Sequence, residues 1–329
     1  MTDIGGNSGL DRVLVLEVTR VTEAAAIAAA RLRGRGAEKA ADKAAVDAMR
    51  RELAKLAIRG TVVIGEGEMD EAPMLYIGEQ VGSGEGPEVD IAVDPLEGTT
   101  ICAKAMPNAL AVLAMSERGG LLHAPDMYMN KIAIGPGYAP GLVDLDAPAG
   151  DNIRALAKAK GVPVSDITAC ILDRPRHAEL IAAVRAAGAA VQLIPDGDIA
   201  GIIWTTDPDE TGIDIYLGAG GAPEGVLAAA ALRCIGGQIQ GRLMPSNEEE
   251  RVRAATMGIT DINKKFVLED MAAGDVIFSA AGVTDGSLLD GVRFHGEFAE
   301  VDSVVMRSKT GTVRRIKSKC RDVGGRFGV

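Results

Sequence analysis

Val89-Asp-Ile-Ala-Val-Asp-Pro-Leu-Glu-Gly-Thr-Thr100 is the stretch on which the reading of this chain turns. Val89 to Val93 is a short apolar run of strand length, and it ends in Asp94-Pro95. Pro95 stiffens the turn, and Gly98 lets the backbone approach an anion closely. Thr99 and Thr100 stand where a helix can begin, offering hydroxyls and free amides to a phosphate. Loops leaving the carboxyl ends of strands are where α/β proteins place their sites. Here such a loop carries Asp94 and Glu97, oxygen ligands of the kind that Mg²⁺ and Mn²⁺ take when they bridge protein to substrate phosphate.

The pattern recurs on both sides. Thr61-Val-Val-Ile64 runs into Gly65-Glu-Gly-Glu-Met-Asp-Glu-Ala-Pro73, bringing Glu66, and Ile213–Leu217 precedes Glu224. Each acid alone reads as a cap or a surface charge; three strand-end loops together read as a metal site. Upstream, Leu10 to Arg33 is an Ala-rich helix stopped by Gly34 and Gly36, and Ala37 to Ile58 is a second. Ala109 to Ser116 and Lys131 to Gly135 read as further strands of the same sheet as Val89–Val93.

From about residue 150 the rhythm is strand–helix–strand. Strand Ile167–Leu172 is followed by helix Pro175–Ala187, strand Ala190–Ile194, helix Ile199–Trp204, strand Ile213–Leu217 and helix Pro223–Cys234. This alternation predicts a layered α/β fold. Beyond Asp275 the chain is mostly strand, ending in Thr312-Val-Arg-Arg-Ile-Lys-Ser-Lys-Cys-Arg321, whose basic alternation suits a solvated face or a protected sheet edge. The change of rhythm suggests a division near residue 150. Residues 1–150 would hold helices and a mixed sheet with most of the acids, and 151–329 a substrate-binding half whose last strands can pack back on the first.

Composition narrows the function. Aromatic residues are only 3% of the 329, too few for the stacking platforms that hold single-stranded nucleic acid, so the core is built from Ala, Val, Ile and Leu. The net charge of −11 disfavours duplex DNA or an anionic membrane as partner. An acidic enzyme still handles an anionic substrate when metal ions reverse the local field. The four cysteines contain no Cys-x-x-Cys pair, which suits thiols in a reducing compartment, and none of the three histidines neighbours a cysteine to suggest zinc. Asp3 and Asp11 near the start, with no basic leader and apolar stretch, argue against a signal peptide. No apolar run approaches the roughly 18 residues of a membrane span. The expectation is a cytoplasmic protein with neither nucleic acid nor membrane as partner.

Asp94-Pro-Leu-Glu-Gly-Thr99 resembles the Asp-Pro-(Ile/Leu)-Asp-Gly-(Thr/Ser) signature of the lithium-sensitive, metal-dependent phosphatase superfamily, which includes inositol monophosphatases and fructose-1,6-bisphosphatases. Glu97 departs from the usual Asp, and the Trp-Asp-x-x-Ala-Gly segment of inositol monophosphatases is missing. Both departures resemble the class II (GlpX-type) fructose-1,6-bisphosphatases. So do Val63-Ile-Gly-Glu-Gly-Glu-Met-Asp-Glu-Ala-Pro-Met-Leu-Tyr76, Ala124-Pro-Asp-Met-Tyr-Met129, Arg174-Pro-Arg-His177, Ile194-Pro-Asp-Gly-Asp198 and Gly220-Gly-Ala-Pro-Glu-Gly225. The resemblance spans nearly the whole chain.

It implies a layered αβαβα fold and hydrolysis of the 1-phosphate of fructose 1,6-bisphosphate by a metal-activated water. The implied ligands of Mg²⁺ or Mn²⁺ are Asp42, Glu66, Asp94, Glu97 and Glu224, with the Leu96 carbonyl as an extra. Thr99, Glu66 and Asp94 would be catalytic, the Thr99 hydroxyl orienting the water. Lys39, Glu97, Gly98, Thr99, Tyr128, Arg174, Pro175, Arg176, Asp196, Gly197, Asp198 and Gly221 would hold the sugar bisphosphate. The resemblance also implies a homo-oligomer, dimer or tetramer, serving gluconeogenesis.

The residues support these roles unequally. Arg174 and Arg176, split by a proline at a strand–helix junction, suit a second phosphate away from the metals, or equally a pair of capping or surface arginines. Asp196 and Asp198 can accept from sugar hydroxyls or cap a turn. Asp42 and Lys39 sit in an ordinary helical charge pattern and rest on the resemblance alone. His123, His177 and His295 are scattered, and none needs a catalytic role.

Other readings stay open. Sedoheptulose 1,7-bisphosphate as a second substrate, or an inositol phosphate, lies within the same class. Gly218-Ala-Gly-Gly-Ala-Pro-Glu-Gly225 raises a nicotinamide-dependent oxidoreductase, although Pro223 takes the third glycine's place and no acid ends strand Gln238–Leu243. A non-catalytic sugar-phosphate sensor would keep the ligands without needing Thr99.

Overall fold

Two helices open the chain. In the computed structural model, which describes residues 10, 12–67 and 74–321, they are α1 (Arg12–Ala30) and α2 (Glu38–Leu53). Residues 68–73, within the acidic loop quoted above, and the chain ends, with Asp3 and Asp11, lie outside that range. Next come β1 (Arg59–Ile64), β2 (Gln80–Val81), β3 (Glu88–Glu97), the short α3 (Thr99–Ala103), β4 (Leu110–Glu117) and β5 (Tyr128–Ile134). The middle of the chain forms α4 (Ala149–Lys160), β6 (Thr168–Leu172), α5 (Ala178–Ala186), β7 (Ala190–Ile194), α6 (Asp198–Ile203), α7 (Pro208–Thr211), β8 (Ile215–Gly221), α8 (Ala222–Ile235) and β9 (Gln238–Leu243). It closes with α9 (Glu248–Thr256), β10 (Phe266–Val267), α10 (Leu268–Met271), β11 (Val276–Gly282), β12 (Arg293–His295), β13 (Phe298–Arg307) and β14 (Thr312–Arg321).

The strands form two sheets. The first runs β12-β13-β11-β4-β3-β1-β2, with β14 paired to β13 along its whole length, and the second runs β10-β9-β5-β8-β6-β7. In the first sheet only β1 and β3 run parallel; in the second, β6 is parallel to both β7 and β8. Helices α1 and α2 cover the outer face of the first sheet through Val18, Ile27, Ala45 and Met49 against Ile91, Leu113 and Ile277. Helices α4 and α5 cover the outer face of the second through Ile153, Leu156 and Val184 against Ile132, Ile171 and Ile215. Between the sheets lie α6 and α8, packed against Val112 and Phe278 on one side and Met129 and Tyr216 on the other. The result is an αβαβα stack.

Helix α8 shows why the layers sit close together. Gly225 to Leu232 is buried on every side, as a helix apolar all round must be, and its four successive alanines, Ala228 to Ala231, let both sheets approach. Enlarging Ala229 to Leu would overpack this layer at a cost of about 1–3 kcal/mol.

The structure corrects three local expectations. Strand β5 is not a neighbour of β4: it lies between β9 and β8 in the second sheet, with Tyr128 opposite Gly221. The apolar pattern of a strand shows that it is buried, not which edge its amides pair with. Strand β3 continues past Val93 to Glu97, so Asp94 and Glu97 belong to a strand rather than a free loop. Pro95 is accommodated where the register slips between Asp94, opposite Val112, and Glu97, opposite Leu110. The strand expected at Ile213–Leu217 is shifted to Ile215–Gly221, which places Glu224 in the first turn of α8. Strand β14 forms the edge beyond β13, and its exposed Arg314, Arg315, Lys317 and Lys319 are the charges that guard such an edge. No described helix is long and apolar enough to cross a membrane.

Candidate active site

The slip in β3 is where the site begins. It turns Asp94 and Glu97 toward the inter-sheet side, and Asp94 caps its own turn by accepting the Leu96 amide at 3.1 Å. Gly98 follows in a left-handed conformation, φ 81°, which a side chain would strain. Thr99 then starts α3 half-buried, its hydroxyl bonded to no described residue. From α8, Glu224 faces the same point, and Asp94, Glu97 and Glu224 each offer an oxygen within 4.8 Å of the others. Asp42 on α2 and Glu66 beyond β1 line the same cavity of about 380 Å³, together with Leu96, Gly98 and Thr99. The Glu66 amide donates to the Leu75 carbonyl at 2.9 Å, which holds Glu66 in place.

Electrostatically the acids oppose one another. Burial pushes Glu66 up to about 8, with Asp42 and Asp94 adding to it. Burial raises Asp94 to about 6, reinforced by Asp42. Glu224 reaches about 8 through burial and Asp198, while Lys131 pulls it down. Glu97 stands well above its usual range through burial, then Asp94, Asp198 and Glu224. Oε2 of Glu224 is buried without a hydrogen-bond partner among the described residues. A group of buried carboxylates with an orphaned oxygen is costly unless a cation joins it. An all-oxygen donor set fits a hard divalent ion. The residues present therefore fit such a metal.

A second cavity, of about 440 Å³, adjoins the first and shares Glu97, Asp126, Asp196 and Glu224 with it. Tyr128, Arg174, Arg176, Asp198 and Gly221 complete its expected lining. Arg176 donates from Nε and Nη2 to the Ala219 carbonyl at 3.1 and 2.6 Å, and its guanidinium lies 4.5 Å from the centre of the Tyr128 ring. His177 holds the same residue through its amide. Its Nε2 accepts the Ala219 amide at 2.8 Å, which leaves Nδ1–H to donate to Leu172 O at 2.8 Å. Burial, aided by neighbouring Arg176 and Arg174, lowers its pKa and keeps the ring neutral. Arg174 lies 3.9 Å from Asp196.

Three expected residues do not line either cavity. Lys39 is exposed on α2, Pro175 is exposed between the two arginines, and Gly197 caps α6 with φ 83°. Conversely, Asp126, Ser246, Glu250 and Arg253 line the cavities without having been expected. Asp126 lies inside the quoted Ala124–Met129 stretch; Ser246, Glu250 and Arg253 carry no local signal. Fully buried Lys131 was also missed, although a lone lysine in an apolar strand, Met129-Asn-Lys-Ile-Ala-Ile134, is a visible anomaly.

Residues 12–320 match the family model of the bacterial, glpX-encoded fructose-1,6-bisphosphatases. The chain belongs to that family. It is 49% identical to a fructose-1,6-bisphosphatase 1 class 2 of Escherichia coli K12 over 321 positions, covering 93% of this chain and 95% of that protein. A fructose-1,6-bisphosphatase class 2 of Shigella flexneri matches with the same identity and coverage. Membership also gives the glycine run after Leu217 a use other than nucleotide binding. A Cβ at Gly220 would overlap the Asp198 carboxylate, and one at Gly221 the Glu224 carboxylate. In this bisphosphatase family member the glycines make room for acids.

Proposed function

We infer that the chain hydrolyses the 1-phosphate of fructose 1,6-bisphosphate to fructose 6-phosphate and phosphate. What supports this most is one juxtaposition: an acid-lined cavity sharing a wall with a cavity that holds Arg174, Arg176 and Tyr128. A sugar bisphosphate needs both, a cation-binding end for the reacting phosphate and an arginine end for the other. Asp42, Glu66, Asp94, Glu97 and Glu224, with the Leu96 carbonyl, would hold Mg²⁺ or Mn²⁺. Such ions, when bound, supply Lewis acidity to the phosphoryl group and acidify water.

The chain's own residues do the rest. The Thr99 hydroxyl, without a hydrogen-bond partner among the described residues, orients the attacking water, whose proton goes to a carboxylate of the same cavity, Glu66 or Asp94. Arg174 and Arg176 fix the distal phosphate so that the reacting one is held in line. Tyr128 and the Ala219 carbonyl hold the Arg176 guanidinium flat against the wall. Asp196, partly open to solvent, accepts from sugar hydroxyls. The free thiols Cys102, Cys170, Cys234 and Cys320 suit a cytoplasmic protein of gluconeogenesis.

The test is turnover of fructose 1,6-bisphosphate by purified protein with Mn²⁺ or Mg²⁺, followed as fructose 6-phosphate and phosphate, before and after chelation. Release that stops in excess chelator and returns with either ion supports the reading. No release from this substrate, or undiminished release in chelator, overturns it. Sedoheptulose 1,7-bisphosphate and an inositol phosphate run in parallel define the range of substrates.

A further inference from the structure

We propose that Arg253 binds the phosphoryl group being transferred, and afterwards the phosphate product, at the acid-lined end of the site. The proposal rests on the phosphatase reading above and adds to it a residue from an element not expected to take part. Among the described residues lining the acid-rich cavity, Arg253 is the one lysine or arginine. It forms no hydrogen bond or ion pair with any described residue, in a cavity where Asp94, Glu97 and Glu224 also stand. The neighbouring buried cation is different: Lys131 is committed to Asp198 and to the Gly221 carbonyl at 2.8 Å. Its charge acts on Glu250, one turn back on the same helix, without a hydrogen bond, so among the described residues no such bond has to be broken for Arg253 to take an incoming anion.

Its position is fixed by the start of α9. The Asn247 side chain accepts the Glu250 amide at 2.8 Å, and the Glu250 carboxylate accepts the Ser246 amide and hydroxyl, each at 2.7 Å. Ser246 and Glu250 line the arginine-bearing cavity, while Arg253, three residues on and on the same face of the helix, lines the acid-rich one. Ala254 beside it is fully buried in the core between the sheets, which sets the rotation of the helix. One face of α9 thus spans both cavities. A guanidinium offers paired N–H donors that match two oxygens of a phosphate, and charge on those oxygens is what the transition state must have stabilised.

The experiment uses the full chain loaded with Mn²⁺ and saturated with fructose 6-phosphate, so that the arginine-bearing cavity is filled, and titrates inorganic phosphate calorimetrically. Arg253→Ala and Arg253→Gln should each weaken phosphate by about ten- to a hundredfold, the loss expected for a charge-assisted hydrogen bond. Fructose 6-phosphate should bind as in the wild type, and Arg253→Lys should recover part of the loss. With fructose 1,6-bisphosphate, kcat/KM should fall about tenfold or more, with part of the loss in kcat. A folded Arg253→Gln protein with wild-type phosphate affinity and kcat overturns the assignment. If the wild type fails to turn over fructose 1,6-bisphosphate yet Arg253→Gln still weakens phosphate, the substrate reading falls and the Arg253 assignment stands.

Discussion

Lys131 on β5 donates its ammonium proton to the carboxylate of Asp198 at the first residue of α6, with Lys131 fully buried and Asp198 only 4% exposed. The pair ties three elements together, since Lys131 also donates to the Gly221 carbonyl of β8 and the Tyr216 hydroxyl donates to Asp198 at 3.4 Å. Breaking a buried pair leaves an uncompensated charge, which costs about 3–5 kcal/mol. Lys131→Met should lower stability by that order in urea unfolding with excess chelator, so that metal binding does not contribute. The double variant with Asp198→Asn should regain much of the loss. A Lys131→Met protein that unfolds with the wild-type midpoint would show that the pair does not hold these strands.

Thr99 separates a catalytic hydroxyl from a simple helix start. Thr99→Ala should reduce kcat by about 10²-fold, the scale of general acid–base contributions, with Mn²⁺ affinity and melting temperature close to wild type. Thr99→Ser keeps the hydroxyl and should keep much of the rate. A variant that melts earlier but turns over normally would assign Thr99 to α3 alone.

Arg176 is tied to Ala219 and stacked on Tyr128, so it serves as a prepared anion contact away from the acids. Arg176→Ala should raise KM about ten- to a hundredfold, with a smaller fall in kcat. Steady-state kinetics over a wide substrate range decides this. An unchanged KM with a collapsed kcat would move Arg176 to the reacting end.

Glu23 on α1 gives a pH dependence remote from the site. It accepts from Ser318 at 2.6 Å and Ser303 at 3.4 Å, yet burial raises its pKa above the ordinary 4.5. A carboxyl whose folded pKa is raised binds its proton more tightly when folded. Its stabilising contribution is therefore complete below about pH 4.5 and is lost as the pH rises through the folded value. Glu23→Gln removes the charge while keeping an acceptor for both serines. It should melt above the wild type at pH 7 and converge with it near pH 4. A wild type that melts higher than the variant at pH 7 would contradict the burial argument.

Much of this was readable in sequence because the signals are local. A buried strand shows as an apolar run, a helix as an Ala-rich stretch closed by glycine, and Asp94-Pro-Leu-Glu-Gly-Thr99 is an acid-bearing turn whatever lies around it. The layered fold and the family follow from such stretches taken in order. The readings faltered where a residue's partner lies far along the chain. Lys131 and Asp198 are 67 residues apart, and nothing near either one announces the other.

Sequence by itself determined most of the buried strands, the helices α1, α2, α5, α6 and α8, and that the acids after Ile64 and Val93 belong to one kind of chemistry; it did not mark α4 or α9. Tertiary structure alone decided that β5 joins the second sheet and β11 to β14 the first, that Asp42 from mid-helix faces Glu66, and that α9 brings Arg253 to the acids. The physical reason is that backbone hydrogen bonding and apolar burial are satisfied equally well by any suitable neighbour. Which neighbour is taken depends on how the layers pack, above all on α8 and its four alanines between the sheets.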